Sequence, residues 1–143
     1  MSRMIFVNLP TADLARSDRF YETIGLTKNN DFSDGNASGW IIDENIFLMV
    51  LKENYFATFL RNGDKPGSGE GQKEVLTALS AESREDVDET VARAVNGGGS
   101  VYRPATEEIP GMYGAAFADP DGHVWEIAWM DMAAMQAGQP DDQ

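Results

Sequence analysis

Residues 119–129 read Asp-Pro-Asp-Gly-His-Val-Trp-Glu-Ile-Ala-Trp, and this stretch decides the fold. Its first four residues combine a proline, whose φ is fixed, with a glycine that accepts positive φ, and this combination predicts a tight turn. Apolar residues then alternate, so Trp125, Ile127 and Trp129 share one face of a strand. Glu126 lies on the opposite face between small neighbours. The pattern therefore predicts space for another molecule above its carboxylate.

Length and composition define the broad class. The chain has 143 residues, of which 42% are hydrophobic, as expected for one globular domain or two small modules that share a core. Apolar runs stay well short of the roughly 20 residues of a membrane span, and no secretory signal is visible, so we expect a cytoplasmic protein. The chain has no cysteine, which excludes disulfides, thiolate nucleophiles and zinc–thiolate sites.

The charge of the chain restricts its partners. Twenty-four acidic residues against 11 basic residues give a net charge of −13. Nucleic acids and anionic membranes need a basic patch, and the sequence shows none, so we expect neither as a partner. The acidity has two interpretations: it keeps the protein in solution, or it attracts cationic ligands if the acids converge on a cleft.

The first half of the chain predicts a strand, a helix and further strands. Residues 5–9 read as a strand, after which Asp13 is the predicted N-cap of a helix that closes at Gly25. A short segment and a turn follow. Two more strands are predicted at residues 39–43 and 46–51.

The second half repeats this plan. A strand at residues 75–81 leads to a helix capped by Ser83 and ended by three glycines at 97–99. A short strand is predicted at 100–103. The last two strands, 113–118 and 124–129, pair through the Asp-Pro-Asp-Gly turn.

The two halves form one predicted domain. Residues 62–72 are rich in glycine and read as a linker or flap, while residues 132–143 lack periodicity and read as a flexible tail. The predicted domain spans residues 1–131, with module one at about 3–62 and module two at about 73–131.

The motifs and their order resemble the vicinal oxygen chelate superfamily, which includes glyoxalase I, the bleomycin-resistance proteins and the extradiol dioxygenases. The resemblance rests on Phe20-Tyr21-x-x-x-Gly25-Leu26 at the helix end and on the turn with Glu126 four residues beyond it, and it covers roughly residues 3–131. It implies an α+β fold in which tandem βαβββ modules form a curled mixed sheet around a cup-shaped cleft. It also implies a homodimer and, in many members, a divalent metal in the cleft.

The metal positions of the resembled family are only partly matched. The first ligand position lies seven residues before the helix cap Asp13 and falls on Phe6, which cannot bind a metal. The last ligand position falls on Glu126. In module one, superposing the two final strands places Leu48 opposite Glu126. The strand that opens module two leaves two counterparts of Phe6 open, Leu76 and Glu74.

This donor set predicts no metal cofactor. The chain has one histidine, whereas iron dioxygenases of this type use two, and zinc or nickel prefers nitrogen donors. The residues therefore argue against a dioxygenase. The alternative is a divalent metal (Mg, Mn, Zn or Ni) held by Glu126 and Glu74. His123 is expected to point away from Glu126, as a turn histidine that bonds locally or is exposed.

Glu126 is the predicted functional residue, either as a base, a hydrogen-bonding anchor or a metal ligand; a solvated strand residue is the alternative. Phe56 and Phe59 are expected to close the cleft from the flap. The positions predicted to line a mostly apolar cleft are Phe6, Asn8, Trp40, Leu48, Leu76, Met112, Tyr113 and Glu126.

Two functions remain. The first is a protein of the bleomycin-resistance type that binds a mostly apolar or cationic small molecule without a metal. The alternative is a lyase or isomerase of the glyoxalase type that acts on a small carbonyl compound with Glu126 as base or metal ligand. A dimer with a structural role only is a third interpretation.

Overall fold

A computed structural model describes residues 2–67 and 70–137. The first half contains β1 (Ile5–Thr11), α1 (Leu14–Thr23), β2 (Thr27–Asn29), a 3-10 turn (Asn30–Phe32), β3 (Ala37–Asp43), β4 (Ile46–Lys52) and α2 (Glu53–Ala57). The second half contains β5 (Thr77–Ser80), α3 (Arg84–Asn96), β6 (Ser100–Ile109), β7 (Met112–Ala118), β8 (Val124–Met130) and α4 (Met132–Ala137).

The strands form two sheets with the same topology. Their orders are β1-β4-β3-β2 and β5-β8-β7-β6. In each sheet the first strand pairs in parallel with the last strand of the module, and the remaining pairs are antiparallel. The predicted α+β fold of tandem βαβββ modules with mixed sheets is therefore confirmed.

The helices begin where the sequence predicts. The Asp13 carboxylate accepts a 3.0 Å hydrogen bond from the Arg16 backbone N–H, and the Ser83 hydroxyl accepts one of 3.0 Å from the Asp86 N–H. Each cap satisfies a backbone donor that has no partner inside its helix. Gly25 closes the first helix at a φ of +104°, a conformation that glycine adopts without strain.

Two elements differ from the sequence-based expectation. Strand β6 continues to Ile109, well past Arg103, although Pro104 lies inside it. A proline is tolerated there because β6 is an edge strand with an irregular register. Residues Met132–Ala137 form a short helix where a flexible tail was expected, and residues 138–143 lie outside the described residues.

Both modules contribute to one hydrophobic core. Helix α1 lies between the sheets, with the Phe20 ring 6.1 Å from that of Phe117 and the Tyr21 ring 6.2 Å from that of Trp125. Tyr21 also lies 6.1 Å from the Trp40 ring of module one. One core therefore fixes the modules relative to each other. Among the described residues, no helix is long and apolar enough to cross a membrane.

Candidate functional site

Each sheet has one face in the core and one face directed away from it. On β1, Val7 and Leu9 pack against the core, while Phe6 and Asn8 are exposed. The alternation of strand side chains puts Met49 on the same side as Asn8, because the two residues are paired in register. We call this the open face of module one.

Glu126 lies on the corresponding open face of module two. It borders a cleft of about 420 Å³, and its side chain is 31% exposed. Arg103, from the edge strand β6, donates a 2.5 Å hydrogen bond from Nη2 to Oε2 of Glu126. The carboxylate is therefore held by a guanidinium in the same cleft.

Register explains how Arg103 reaches across the sheet. Arg103 is paired with Ala116 on β7, and Ala116 is paired with Glu126 on β8. On the other side of Glu126 lies Ala78 of β5. In-register neighbours share a face, and the methyl group of Ala116 is small enough for the arginine side chain to pass over it. Four residues thus form one row in the order Arg103, Ala116, Glu126 and Ala78, and the ion pair spans Ala116.

A separate cavity of about 690 Å³ lies over the open face of module one. Helix α2 follows β4 without a loop and covers one side of the cavity. Polar groups come from Asn8 of β1 and from the acids Asp31 and Asp34. The remaining lining residues are Phe32, Ser33, Ala37, Met49, Leu51, Tyr55, Phe56, Phe59 and Leu60.

Trp40 and Leu48 do not face either cleft. They are in-register neighbours on β3 and β4, they are 1% and 0% exposed, and both belong to the core. The expectation that they line a ligand site is therefore wrong. Counting from the strand starts set Leu48 opposite Glu126, but the two residues lie on opposite faces. A shift of one residue along a strand exchanges its two faces.

The remaining predicted positions are spread over the molecule. Ala78, rather than Leu76 or Glu74, is the β5 neighbour of Glu126. Met112 lines the module-two cleft. Tyr113, in contrast, donates a 2.7 Å hydrogen bond to Asp88 of α3, so its hydroxyl faces the helix.

A third space, a groove of about 770 Å³, lies between β1 and the start of β5. Asn8 borders both this groove and the module-one cavity, and Glu74 borders the groove alone. Phe6, exposed on the open face, stacks on Phe47 with ring centroids 5.0 Å apart. The predicted single cup is therefore divided: the described cavities at Asn8 and at Glu126 share no lining residue.

Arg103 was not predicted from the sequence. Strand β6 was expected to end at this residue, so its side chain was not expected to lie along the sheet toward Glu126. An available signal was the pair of small residues Ala116 and Ala128 beside Glu126, which leaves a long side chain room to cross. The acids Asp31 and Asp34 were also missed, since they lie in a turn that the topology alone brings over the sheet.

The Asp-Pro-Asp-Gly turn connects the two modules. Asp121 accepts hydrogen bonds from the Thr11 hydroxyl at 2.6 Å and from Nη2 of Arg16 at 2.8 Å. His123 Nε2 lies 2.7 Å from the carbonyl oxygen of Pro10, which can only accept, so Nε2 carries the proton. The expectation of a histidine that bonds locally is wrong, because its partner lies in the other module.

Asp119 is the buried member of this turn. Its Oδ2 accepts a 2.6 Å hydrogen bond from Tyr21, and the Tyr21 hydroxyl accepts one of 3.1 Å from the Trp125 indole. Burial raises the pKa of Asp119 above its usual range, although His123 and the Tyr21 hydrogen bond oppose this shift. Burial, followed by the charge of Asp119, raises the pKa of Tyr21 well above its usual range.

A family model supports the architecture at the sequence level. The model described as the Glyoxalase/Bleomycin resistance protein/Dioxygenase superfamily matches residues 3–127. This chain belongs to that superfamily. Among curated proteins, none matches the chain.

Several solved structures are similar to the chain. The hypothetical protein SA1046 from S. aureus is 26% identical, with 90% of this chain and 95% of that chain covered and a TM-score of 0.75. A glyoxalase-related enzyme from Fulvimarina pelagi is 25% identical, with 90% and 88% covered and a TM-score of 0.76. The fosfomycin resistance protein FosX from Mesorhizobium loti, at 16% identity, 95% and 96% coverage and a TM-score of 0.63, shares the fold alone.

Members of the superfamily often use a metal ion, and the donors around Glu126 do not fit one. A divalent cation bound there would meet the positive charge of Arg103. Among the described residues, the group of three potential ligands within 4.8 Å of one another is instead Asp119, Asp121 and His123. In both carboxylates of this group, each oxygen already accepts a hydrogen bond from the protein. These side chains therefore serve to connect the two modules.

Proposed function

We propose that this member of the superfamily binds a small organic molecule without a metal, and that its main ligand site is the module-one cavity. The observation that carries the proposal is the cavity of about 690 Å³ over the open face, lined largely by aromatic and aliphatic side chains with a few polar groups. Sites for drug-sized ligands have this size and composition. The proposed ligand is a mostly apolar molecule with a positive charge.

The aromatic side chains support an apolar ligand body. Tyr55 and Phe59 of the α2 region pack edge to face at 5.2 Å, and Phe56 lies between them in sequence. Phe32 faces the same cavity from the 3-10 turn and remains largely exposed. An aromatic ligand that covers Phe32 and Phe59 would remove their apolar surface from water, which favours binding.

The charges around the cavity support a cationic group. Asp31 and Asp34 supply two carboxylates, and the described residues that line the cavity include no Lys or Arg. The faces of the aromatic rings attract a cation further, by about 0.5–2 kcal/mol for a well-placed ring. The net charge of −13 raises the local concentration of cations near the whole protein.

A lyase or isomerase with Glu126 as base is the second candidate. The cleft of about 420 Å³ in front of its carboxylate favours this function. Arg103 opposes it, because Glu126 must leave the guanidinium before it can take a proton from a substrate. Turnover of hemithioacetals, measured with and without added nickel, zinc or magnesium, tests this candidate. Metal-dependent turnover that is lost in Glu126→Gln would favour the enzyme function over the binding function.

The binding proposal is tested by titration with two matched probes. Naphthylmethylammonium carries the charge, and naphthylmethanol has nearly the same shape without it. We expect the cation to bind about tenfold more tightly, which corresponds to about 1.4 kcal/mol. Backbone amide shifts in two-dimensional NMR spectra should concentrate at Asn8, Ala37 and Met49. Equal affinity for both probes, or shifts elsewhere, would refute the proposal.

Variants identify the groups responsible. Phe56→Ala should weaken both probes, because it removes part of the aromatic lining, whereas Phe6→Ala changes an exposed phenylalanine outside the cavity and should change neither. Asp31→Asn should weaken the binding of naphthylmethylammonium and leave the binding of naphthylmethanol unchanged. Asp64→Asn removes an equal charge from an exposed position outside the lining and is its control.

A further inference from the structure

The Arg103–Glu126 pair has hydrogen-bonding capacity that the described residues do not use. A guanidinium has five N–H donors, and a carboxylate has two oxygens. The pair is joined through one donor, Nη2, and one acceptor, Oε2. The remaining donors of Arg103 and the Oε1 oxygen of Glu126 have no hydrogen-bond partner in the described parts of the chain. Side-chain exposures of 40% and 31% leave both groups within reach of a ligand.

The floor beside this pair is built mainly from small residues. Ala78 lies next to Glu126, while Ala116 is 1% exposed and lies beneath the Arg103 side chain. The next row has Gly114 paired with Ala128, with Thr106 and Ser80 at its two ends. Ala78, Gly114 and Ala128 have no side chain larger than a methyl group. A planar group can lie against such a surface over its whole area.

We infer that this cleft is a second binding site, distinct from the module-one cavity, and that it takes a neutral planar amide or lactam. An amide presents a carbonyl acceptor beside an N–H donor, and Arg103 beside Glu126 presents the complementary donor and acceptor. Guanidinium binds the amide oxygen, and Oε1 of Glu126 accepts the amide N–H. The flat ring or side group lies on the alanine and glycine floor.

Charge selects the neutral ligand. Arg103 and Glu126 compensate each other, so an added carboxylate would meet the charges of Glu126 and of Glu108, which also lines the cleft. An added cation would meet Arg103. A ligand that carries no net charge keeps the ion pair intact and avoids both repulsions.

Three probes of nearly equal shape test the inference: benzamide, benzoate and benzamidinium. Each is titrated into the full chain and followed by backbone amide shifts of Ala78, Gly114, Ala116 and Ala128. We expect benzamide to move these signals with an affinity at least about tenfold higher than benzoate or benzamidinium. The proposed function predicts benzamidinium shifts at Asn8 and Ala37 instead, so the two proposals succeed or fail on different signals.

Substitutions of the pair separate recognition from support of the fold. Arg103→Gln should weaken benzamide about tenfold and free Glu126, so that benzamidinium becomes the probe that moves the module-two signals. Glu126→Gln should weaken the binding of benzamide. The uncompensated charge of Arg103 should then make benzoate the most tightly bound probe. Arg93→Gln is the matched control, because Arg93 forms only a 3.6 Å ion pair with Glu89 on the surface of α3. It should leave all three probes unchanged.

The decisive measurement is which of the three probes each variant binds most tightly. A purely structural ion pair would lower stability on substitution without exchanging the preferred probe. Benzoate bound best by the unsubstituted chain would show an anion site and overturn the inference. The inference is also overturned if no probe shifts the amide signals of Ala78, Gly114, Ala116 and Ala128 while the spectra of the variants show that they remain folded.

Discussion

Tyr21 donates a 2.6 Å hydrogen bond to Asp119, and this bond joins helix α1 of module one to the turn of module two across 98 positions of the chain. The same hydroxyl accepts a hydrogen bond from the Trp125 indole. A single oxygen atom therefore satisfies a buried donor and a buried acceptor of module two. This atom should have a measurable influence on stability.

Tyr21→Phe keeps the ring and removes that oxygen. The Trp125 N–H and one oxygen of Asp119 then lack partners in the core, at a cost of about 1–3 kcal/mol for each group left unsatisfied. The free energy of unfolding from urea titration should fall accordingly. Tyr113→Phe is the control, because its hydrogen bond to Asp88 is exposed and its loss should lower stability less than the loss of the buried Tyr21 hydroxyl. Equal effects of the two substitutions would contradict the network.

Asp119 should make stability depend on pH. Its pKa in the folded protein is raised above the ordinary value of 3.8, mainly by burial, so the folded state binds this proton more tightly than the unfolded state. The contribution of Asp119 is complete below that ordinary value and is lost as the pH rises through the raised pKa. His123, Tyr21 and Asp121 contribute the neighbouring electrostatic effects.

Comparison with Asp119→Asn isolates this effect. The difference in unfolding free energy, unsubstituted chain minus Asp119→Asn, should increase as the pH falls from neutral toward about 4. Urea titrations at several pH values measure it, and Asp64→Asn, at an exposed position, is the control. A difference that decreases toward acid pH would show that the sign of the shift is wrong.

Gly99 lies where the two modules approach closely. A Cβ at this position would meet the Ala118 carbonyl oxygen at 2.3 Å and the Phe20 ring at 2.5 Å. Gly99→Ala should therefore destabilise the protein by about 1–3 kcal/mol or more, as overpacked cores do. At Gly35 an added Cβ meets nothing within 4 Å, so Gly35→Ala should have little effect in the same thermal unfolding measurement.

Trp125 should be far more sensitive to truncation than Trp129. Trp125 is buried in the shared core and donates to Tyr21, and its replacement by alanine should cost about 3–5 kcal/mol. Trp129 is half-buried with Arg84 over its ring, so the same replacement should cost less. Similar losses from both variants would contradict the difference in burial between the two tryptophans.

The fold could be predicted from the sequence because its signals are local. Asp13 and Ser83 are strong N-caps, and the turn at 119–122 has residues that suit one backbone conformation. Side-chain alternation also placed Trp125 and Ile127 correctly in the core. Local chemistry was misleading at Pro104, since only the tertiary position of β6 at a sheet edge makes a proline acceptable there.

The candidate sites were harder to predict because they depend on register across strands. Leu48 was placed on the wrong face by a shift of one residue. Arg103 reaches Glu126 only because β6, β7 and β8 are aligned at Ala116, and no pattern within a single strand encodes this alignment. Asn8, on the other hand, was predicted from alternation alone to share a face with Phe6 and to line a cleft; both residues lie on the open face, and Asn8 borders the module-one cavity.

The shared core has a consequence for how far the two halves of the chain can diverge in sequence. Neither half can lose its packing without unfolding the other, so selection acts on their stability jointly. The surfaces turned away from that core are under no such joint constraint. Substitutions there can change one open face without changing the other, so the cation site proposed for module one and the amide site proposed for module two can coexist in one chain.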